Sequence, residues 1–567
     1  MPMSNSGTTT MTANSRFGAV APHYPVVIIG GGINGCGLFR DLAAQGIDCL
    51  LVDKGDFCSG ASAAPSRLIH GGIKYLETGE FRLVRQSAVE RNLLLKNAPH
   101  YVKPLETVLP VYSWFGGVVP SIRRFFRLKA TLKDRGAIIT ELGLWMYDLF
   151  GRHYRTMPNH RLLPKKRMVG LMPELTKKIV AAGIYYEARI THAERLGLEL
   201  LLDGRADNPT AIALNHVSVT GSCQGGIMLR DELNGQGTKV TADIVINAGG
   251  AWIDLVNKSL GINSHHMGGN KGSHLIVRNE RLYKALDGRM IYFGSSDGRV
   301  NLLYPFMGNV LVGSTDIPVS NPDLAVCDDE EKHYLANVTR EVFPDIMIEP
   351  SEIFMTYCGV RPLPRSEGLE PGAVSRDHSI ATDVLPGVTT PVYSLIGGKW
   401  TTYRGFSEEA CDLVLRELTC SRKRSTRELA IGGGRDFPAD AAARARLVRD
   451  ISVMTHSQEA AERLIDRYGT RARLVAAAAV NSVDPPLHSL PSYGRAELAW
   501  ICRNESVGRL TDLLFRRTDI ALSGELSRTV IMEAAGIAAE SLGWDAARLR
   551  LEIDNTLQTC HSFGMGI

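Results

Sequence analysis

Val26-Val27-Ile28-Ile29-Gly30-Gly31-Gly32-Ile33-Asn34-Gly35-Cys36-Gly37 decides how the rest of the chain is read. Four β-branched residues make a buried strand, three glycines turn it, and a run compatible with a helix continues to Gly46. Gly30, Gly32 and Gly35 fit the spacing G-x-G-x-x-G. The first glycine allows the tight turn, the second lets backbone N–H groups approach a pyrophosphate, and the third lets helix and strand pack closely. The phosphates then meet the helix N-terminus, where unpaired N–H groups and the macrodipole favour anions. A second apolar run, Cys49 to Val52, ends in Asp53, whose carboxylate suits a ribose diol. Strand, glycines, helix, strand and terminal acid in this order predict a Rossmann-like dinucleotide site, with Asn34 at its edge.

Composition limits the alternatives. A chain of 567 residues is too long for one core, so two or three domains are expected. Hydrophobic residues at 44% and charged residues at 22% describe an ordinary globular protein. The net charge of +4 offers no whole-chain argument for nucleic acid. Ten scattered cysteines without a Cys-x-x-Cys pair indicate neither a metal site nor a disulfide framework, and fit a cytoplasmic setting. No apolar run is long enough to span a bilayer. Residues 1–23 read as a disordered tail rather than a targeting segment.

Further along, Gly55 to Gly72 is rich in small residues, and Ser62, Ser66, His70, Gly71 and Gly72 are read as lining a cofactor. Phe81, Leu83, Val84, Ala88 and Leu93 to Leu95 give a helical pattern. Ala193 to Leu202 reads as a helix and His216 to Val219 as a short strand, with Val217 a candidate adenine contact and His216 surface or packed. Ile244 to Trp252 is a strand returning to glycine, with Ala248 and Gly249 placed at the diphosphate. A hairpin is expected around Gly308-Asn309. Trp145, Met146, Tyr147 and Phe150 read as core.

Six motifs occur in order: Gly30–Gly37, Arg67–Glu77 with Glu80–Val84, Lys271–His274, Gly313–Asp316, Gly359–Pro362 and Gly397–Arg404. In this the chain resembles the FAD-dependent glycerol-3-phosphate dehydrogenases over residues 24 to 410, with a helical continuation to the end. The resemblance implies an α/β fold: a Rossmann-like FAD-binding domain, an antiparallel-sheet substrate domain and a C-terminal helical cap. It implies oxidation of sn-glycerol 3-phosphate to dihydroxyacetone phosphate, with electrons passing to a quinone or, in an oxidase branch, to oxygen. Arg361 is then expected to steady alkoxide character on the substrate oxygen, with His274 as acid–base group. Lys74 and Arg376 are expected at the substrate phosphate, Tyr75 in substrate binding, Lys399 near flavin or substrate, and Gly398 and Thr401 at the flavin. Two departures bear on specificity. Lys74 stands where the family has arginine, losing the bidentate fork, and Ala61-Ser62-Ala63 replaces Thr-Ser-Ser. Another polyol phosphate, such as a tetritol phosphate, therefore stays open as substrate. So do a nicotinamide enzyme, since the first motif serves NAD equally, and a flavin protein without turnover.

The expected organisation is FAD-binding segments at 24–115, 190–262 and 379–419, an insert at 116–189, a substrate domain at 263–378 and a helical cap at 420–567. Within the insert, Ser121 to Arg135 carries six cations against one acid. It reads either as a basic amphipathic helix lying peripherally on the inner face of the cytoplasmic membrane or as a solvated helix. Gly432 to Gly434 reads as linker, and the basic residues of the cap as a solvated face. A second copy of the chain is a further candidate partner.

Overall fold

The computed structural model describes residues 16–73, 79–116, 136–152, 156–365, 377–479 and 484–567. Lys74, Tyr75, Arg376 and the segment 121–135 lie outside the described residues. The strand His23–Ile29 sits at the centre of the first sheet, its β-branched residues fully enclosed. It is flanked in parallel by Gly237–Asn247 and Cys49–Val52, and beyond them by Pro391–Ile396 and Ile212–Leu214. Near-continuous apolar strands are what a parallel sheet covered on both faces requires. The helices Ile33–Ala44, Ala193–Asp207 and Tyr403–Glu417 cover one face through Leu38, Phe39, Leu42, Leu196 and Phe406. The Val217–Cys223 and Gly226–Asp231 hairpin extends the sheet beside Gly237–Asn247. This is the expected Rossmann-like layer, and its ligand crevice lies beyond the carboxyl ends of the parallel strands.

The second sheet has ten strands and is antiparallel apart from one parallel pair, Met290–Gly294 with Val102–Val111. Asn270–Val277 lies between Asn309–Gly313 and Ile353–Arg361. One face packs on the helices Glu280–Leu286 and Asp329–Val338 through Leu275, Val277 and Val312. The other packs on the C-terminal helices through Ile276, Leu311 and Met355. The substrate layer is larger than the expected 263–378, because Leu68–Ile69, Val102–Val111 and Ala181–Ile190 belong to this sheet. Their alternating patterns suit either sheet; only the long-range pairing assigns them.

Three local readings are corrected. The hairpin turns at Met307-Gly308, both at positive φ (47° and 78°), and Asn309 already pairs with Phe306. A two-residue turn of this kind needs positive φ at both central positions, which glycine supplies at the second. In the helix Ala137–Phe150, Tyr147 is core but Trp145 is 59% exposed, because Leu144 and Tyr147 occupy the face against the sheet. Gly432 to Gly434 is a buried 3-10 turn rather than a free linker. Its N–H groups donate to Asp203 and Glu199 at 2.9 and 3.1 Å.

The cap is all helical, as expected, but its basic residues are not all solvated. Arg517 grips Asp56 with two bonds of 2.7 Å, and Arg516 pairs with Asp56 and Asp512. His216 is the packed histidine, 2.9 Å from Asp512. Asp56, His216 and Asp512 lie close enough together to suit a metal ion. Both carboxylates, however, are already neutralised by the two guanidinium groups, so the cluster is an ion-pair lock between cap and FAD domain. Burying these charges is tolerable only because each carboxylate is paired and hydrogen-bonded.

Candidate active site

A cavity of about 1300 Å³ runs between the two sheets. At one end stands the glycine turn. Gly30 adopts φ 111°, and a Cβ there would lie 2.5 Å from the Ala248 carbonyl oxygen. A Cβ on Gly35 would lie 1.9 Å from the Gly30 carbonyl oxygen, so Gly35 serves helix–strand contact and stands back from the cavity. Asp53 Oδ2 accepts from the Gly31 N–H at 2.6 Å, and Oδ1 from the Gly55 N–H at 2.8 Å. Burial pushes the Asp53 carboxyl up against the pull of these two donors. Each oxygen keeps a lone pair for a diol. The Asp53 carbonyl accepts from the Val217 N–H at 2.7 Å, which knits the acid's loop to the hairpin beside it.

At the N-terminus of the helix Ile33–Ala44, Ser62 Oγ accepts from the Ile33 N–H at 2.9 Å. Asn34 Oδ1 is buried without a partner among the described residues. A helix start presenting backbone N–H groups and a turn with no room for side chains suit a bound diphosphate. Gly30, Gly32, Asn34, Asp53, Ser62, Val217, Ala248 and Gly249, the residues expected at FAD, all line this cavity.

The middle of the cavity is built by the turn at Gly397 and Gly398, both at positive φ (75° and 88°). Gly398 lets this turn lie on Phe406 and Asn34, and Trp400 Nε1 donates to the Ser62 carbonyl at 3.2 Å. Lys399 Nζ donates to Ser87 Oγ at 3.0 Å, and Lys399 and Thr401 line the cavity. His70 lines it too, whereas Gly71 and Gly72 do not. Gly71 faces inward, where its N–H donates to Tyr147 Oη (2.9 Å) and Glu187 Oε2 (3.0 Å). A Cβ on Gly71 would lie 2.3 Å from that hydroxyl, so the close approach this glycine allows is to Tyr147. Arg91 holds the same pair, at 2.6 Å from Tyr147 Oη and 3.1 Å from Glu187.

At the far end, Arg361 and His274 project from adjacent strands. Arg361 Nη1 donates to Asp316 Oδ1 at 2.9 Å, and Nη2 to Ser314 Oγ and the Thr315 carbonyl at 3.0 Å. The guanidinium lies across Gly272, where a Cβ would be 2.2 Å from Nη2. Its position is thus set by a missing side chain below and acceptors around it. His274 is stacked on Tyr357 (centroids 4.9 Å, interplanar angle 18°), with Nε2 2.8 Å from Ser66 Oγ and Nδ1 buried without a partner among the described residues. Burial, then the positive charges of Arg361 and Arg67, lower its pKa to about 3. Ser66, expected at the cofactor, lines the cavity and is also the partner of His274. A histidine that titrates so low is neutral at pH 7 and a weaker base than the expected acid–base role asks for. An anionic substrate beside it would raise that value again.

Asp316, Tyr357 and Gly272 were not singled out by the sequence reading, although Asp316 and Gly272 lie inside quoted motifs. Lys271, in the same motif as His274, is a strut. It bonds Glu331 (2.7 Å) and Asp328 (3.0 Å), which raise its pKa to about 12.

A parallel sheet ending in a glycine cradle, facing a second sheet that carries a fixed cation and a buried histidine, defines a flavin-dependent oxidoreductase. A family model described as FAD dependent oxidoreductase matches residues 25–400, and one for the C-terminal domain of alpha-glycerophosphate oxidase matches residues 424–549. A glycerol-3-phosphate dehydrogenase of Synechocystis sp. is 31% identical over 562 residues, covering 95% of this chain and 96% of that one. An aerobic glycerol-3-phosphate dehydrogenase of Staphylococcus haemolyticus is 30% identical, covering 87% and 86%. The solved glycerol-3-phosphate dehydrogenase of Bacillus halodurans, complexed with FAD, shares the fold with a TM-score of 0.74, 22% identity and coverage of 97% and 98%. The chain belongs to the FAD-dependent glycerol-3-phosphate dehydrogenase family.

Proposed function

We propose that this chain oxidises sn-glycerol 3-phosphate at C2 to dihydroxyacetone phosphate. The carrying observation is the pairing of Arg361 and His274 on neighbouring strands of one cavity wall, opposite the FAD cradle. Bound FAD supplies the hydride acceptor, and the protein supplies alignment and charge. Arg361, fixed by Asp316 and Ser314, offers positive charge where alkoxide character develops on the substrate oxygen. His274, neutral and held by Ser66, orients the hydroxyl and receives its proton once the substrate's negative charge raises its basicity. The phosphate is assigned to Lys74 and Arg376, and Tyr75 to substrate binding. Anaerobic addition of glycerol 3-phosphate is expected to bleach the absorbance near 450 nm with one equivalent per flavin. Bleaching by a tetritol phosphate at a kcat/KM tenfold higher would transfer the assignment to that substrate, and no bleaching by either would defeat it.

We further propose that the electrons leave to a quinone at a membrane surface. No described helix is long and apolar enough to cross a bilayer. The helix Ala137–Phe150 nevertheless exposes Ile138 (52%), Leu142 (59%), Trp145 (59%) and Leu149 (42%) at spacings of four, three and four, along one stripe. Trp114 and Phe115, 48% and 74% exposed, lie at the start of the same surface, where the Ala137 N–H donates to the Ser113 carbonyl. An apolar stripe edged by tryptophan suits an interfacial contact with lipid. Leu142→Glu with Trp145→Glu should cut co-sedimentation with anionic phospholipid vesicles at least roughly tenfold, about 1.4 kcal/mol, while glycerol 3-phosphate still bleaches the flavin. Undiminished co-sedimentation of the double variant would refute the lipid contact.

A further inference from the structure

Three residues outside the cradle meet over the cavity. Asp323 Oδ1 accepts from Lys54 Nζ at 2.9 Å and from Trp252 Nε1 at 2.7 Å. The Lys54 ammonium also lies 4.9 Å from the centroid of the Trp252 ring. The ring in turn covers Gly60, where a Cβ would be 3.1 Å from an indole carbon. All three side chains line the cavity.

Their places in the chain give the meeting its sense. Lys54 directly follows Asp53, the diol acceptor, and Trp252 comes three positions after Gly249. These two walls of the FAD cleft belong to the first sheet and its loops. Asp323 belongs to the substrate layer, in the short 3-10 turn Pro322–Leu324 that precedes the helix Asp329–Val338. The Asn321 side chain accepts from the Asp323 N–H at 3.0 Å, which fixes the turn. Lys54 and the Trp252 indole hold the Asp323 carboxyl below its usual range. The acid is thus ionised at neutral pH and draws two donors, one from each wall, onto a single oxygen.

We propose that Lys54, Trp252 and Asp323 form a clasp across the adenosine–diphosphate half of the FAD site, and that they are positioning residues for cofactor retention. Lys54 and Asp323 are each about half exposed, so their ion pair alone contributes little. The indole N–H, 2.7 Å from the ionised carboxylate, adds a charge-assisted hydrogen bond, stronger than one between neutral groups. FAD leaves only when the clasp opens, and its rate of release reports the clasp without involving turnover.

The test starts from the oxidised holoprotein diluted into excess apoflavoprotein as a trap, with release followed by the loss of protein-bound flavin signal. Asp323→Ala and Trp252→Phe are each expected to release FAD roughly tenfold faster than the parent. Asp323→Asn keeps an acceptor for the indole and should fall between. Raising salt should speed the parent more than Asp323→Ala, since only the parent has the ion pair to screen. The thermal midpoints of the FAD-free forms should coincide, as the clasp joins surface groups. Release rates of Asp323→Ala and Trp252→Phe within twofold of the parent would overturn the proposal. So would faster release matched by an equal loss of stability in the FAD-free form.

Discussion

Replacing Arg361 with alanine is expected to slow anaerobic flavin reduction by glycerol 3-phosphate by roughly 10²- to 10³-fold, the usual effect of removing one fixed donor from a developing oxyanion. The guanidinium is held from several sides, by Asp316, Ser314 and the Thr315 carbonyl. It therefore reaches the transition state without reorganising, and that preorganisation is what alanine removes. Arg361→Lys should recover part of the charge but not the geometry, because an ammonium cannot span Asp316 Oδ1 and Ser314 Oγ together. FAD content should stay at one per chain in both variants, since the cradle lies at the other end of the cavity. Stopped-flow reduction at saturating substrate separates the outcomes. A rate within threefold of the parent would remove Arg361 from the chemistry.

Gly35→Ala should do the opposite: spare the residues of the reaction and abolish the cofactor. The added methyl would sit 1.9 Å from the Gly30 carbonyl oxygen, a backbone atom that cannot rotate away. The helix must then lift off its strand, and its N-terminus leaves the diphosphate position. We expect affinity for FAD to fall at least roughly 100-fold, about 2.7 kcal/mol. The purified chain would be nearly colourless near 450 nm, with helical content unchanged by circular dichroism. Gly143→Ala is the control, because a Cβ there meets nothing within 4 Å. A Gly35→Ala protein that keeps stoichiometric FAD would contradict the close-contact account of this glycine.

What was legible in the sequence was local. The glycine spacing, the strand before it and Asp53 after it lie within one stretch of chain, and each has a steric or electrostatic reason to be there. Arg361, His274 and Lys399 were legible through motifs, and the structure brings all three to the same cavity. What stayed hidden depends on pairing across long separations. Asp56 meets Arg517 461 positions away, and nothing near either residue announces the other. Likewise, Val102–Val111 joins the substrate sheet only through Ala181–Ile190 and Met290–Gly294. Gly71 is ambiguous for a subtler reason. Glycine marks close approach without saying to what, and here one such neighbour is the Tyr147 hydroxyl.

Just after the strand Val102–Val111, the chain closes on itself. The Gly136 N–H donates to the Gly116 carbonyl at 2.8 Å, and a Cβ on Gly136 would lie 2.6 Å from the Gly116 nitrogen. Departure and return therefore share one doorway, sealed by two residues without side chains. With the two ends already joined, the entropic expense of closing any loop between them would depend only logarithmically on its length. The sheet on the near side keeps its register throughout. This doorway makes the region a natural grafting point, where one scaffold can change its surroundings without retuning its chemistry.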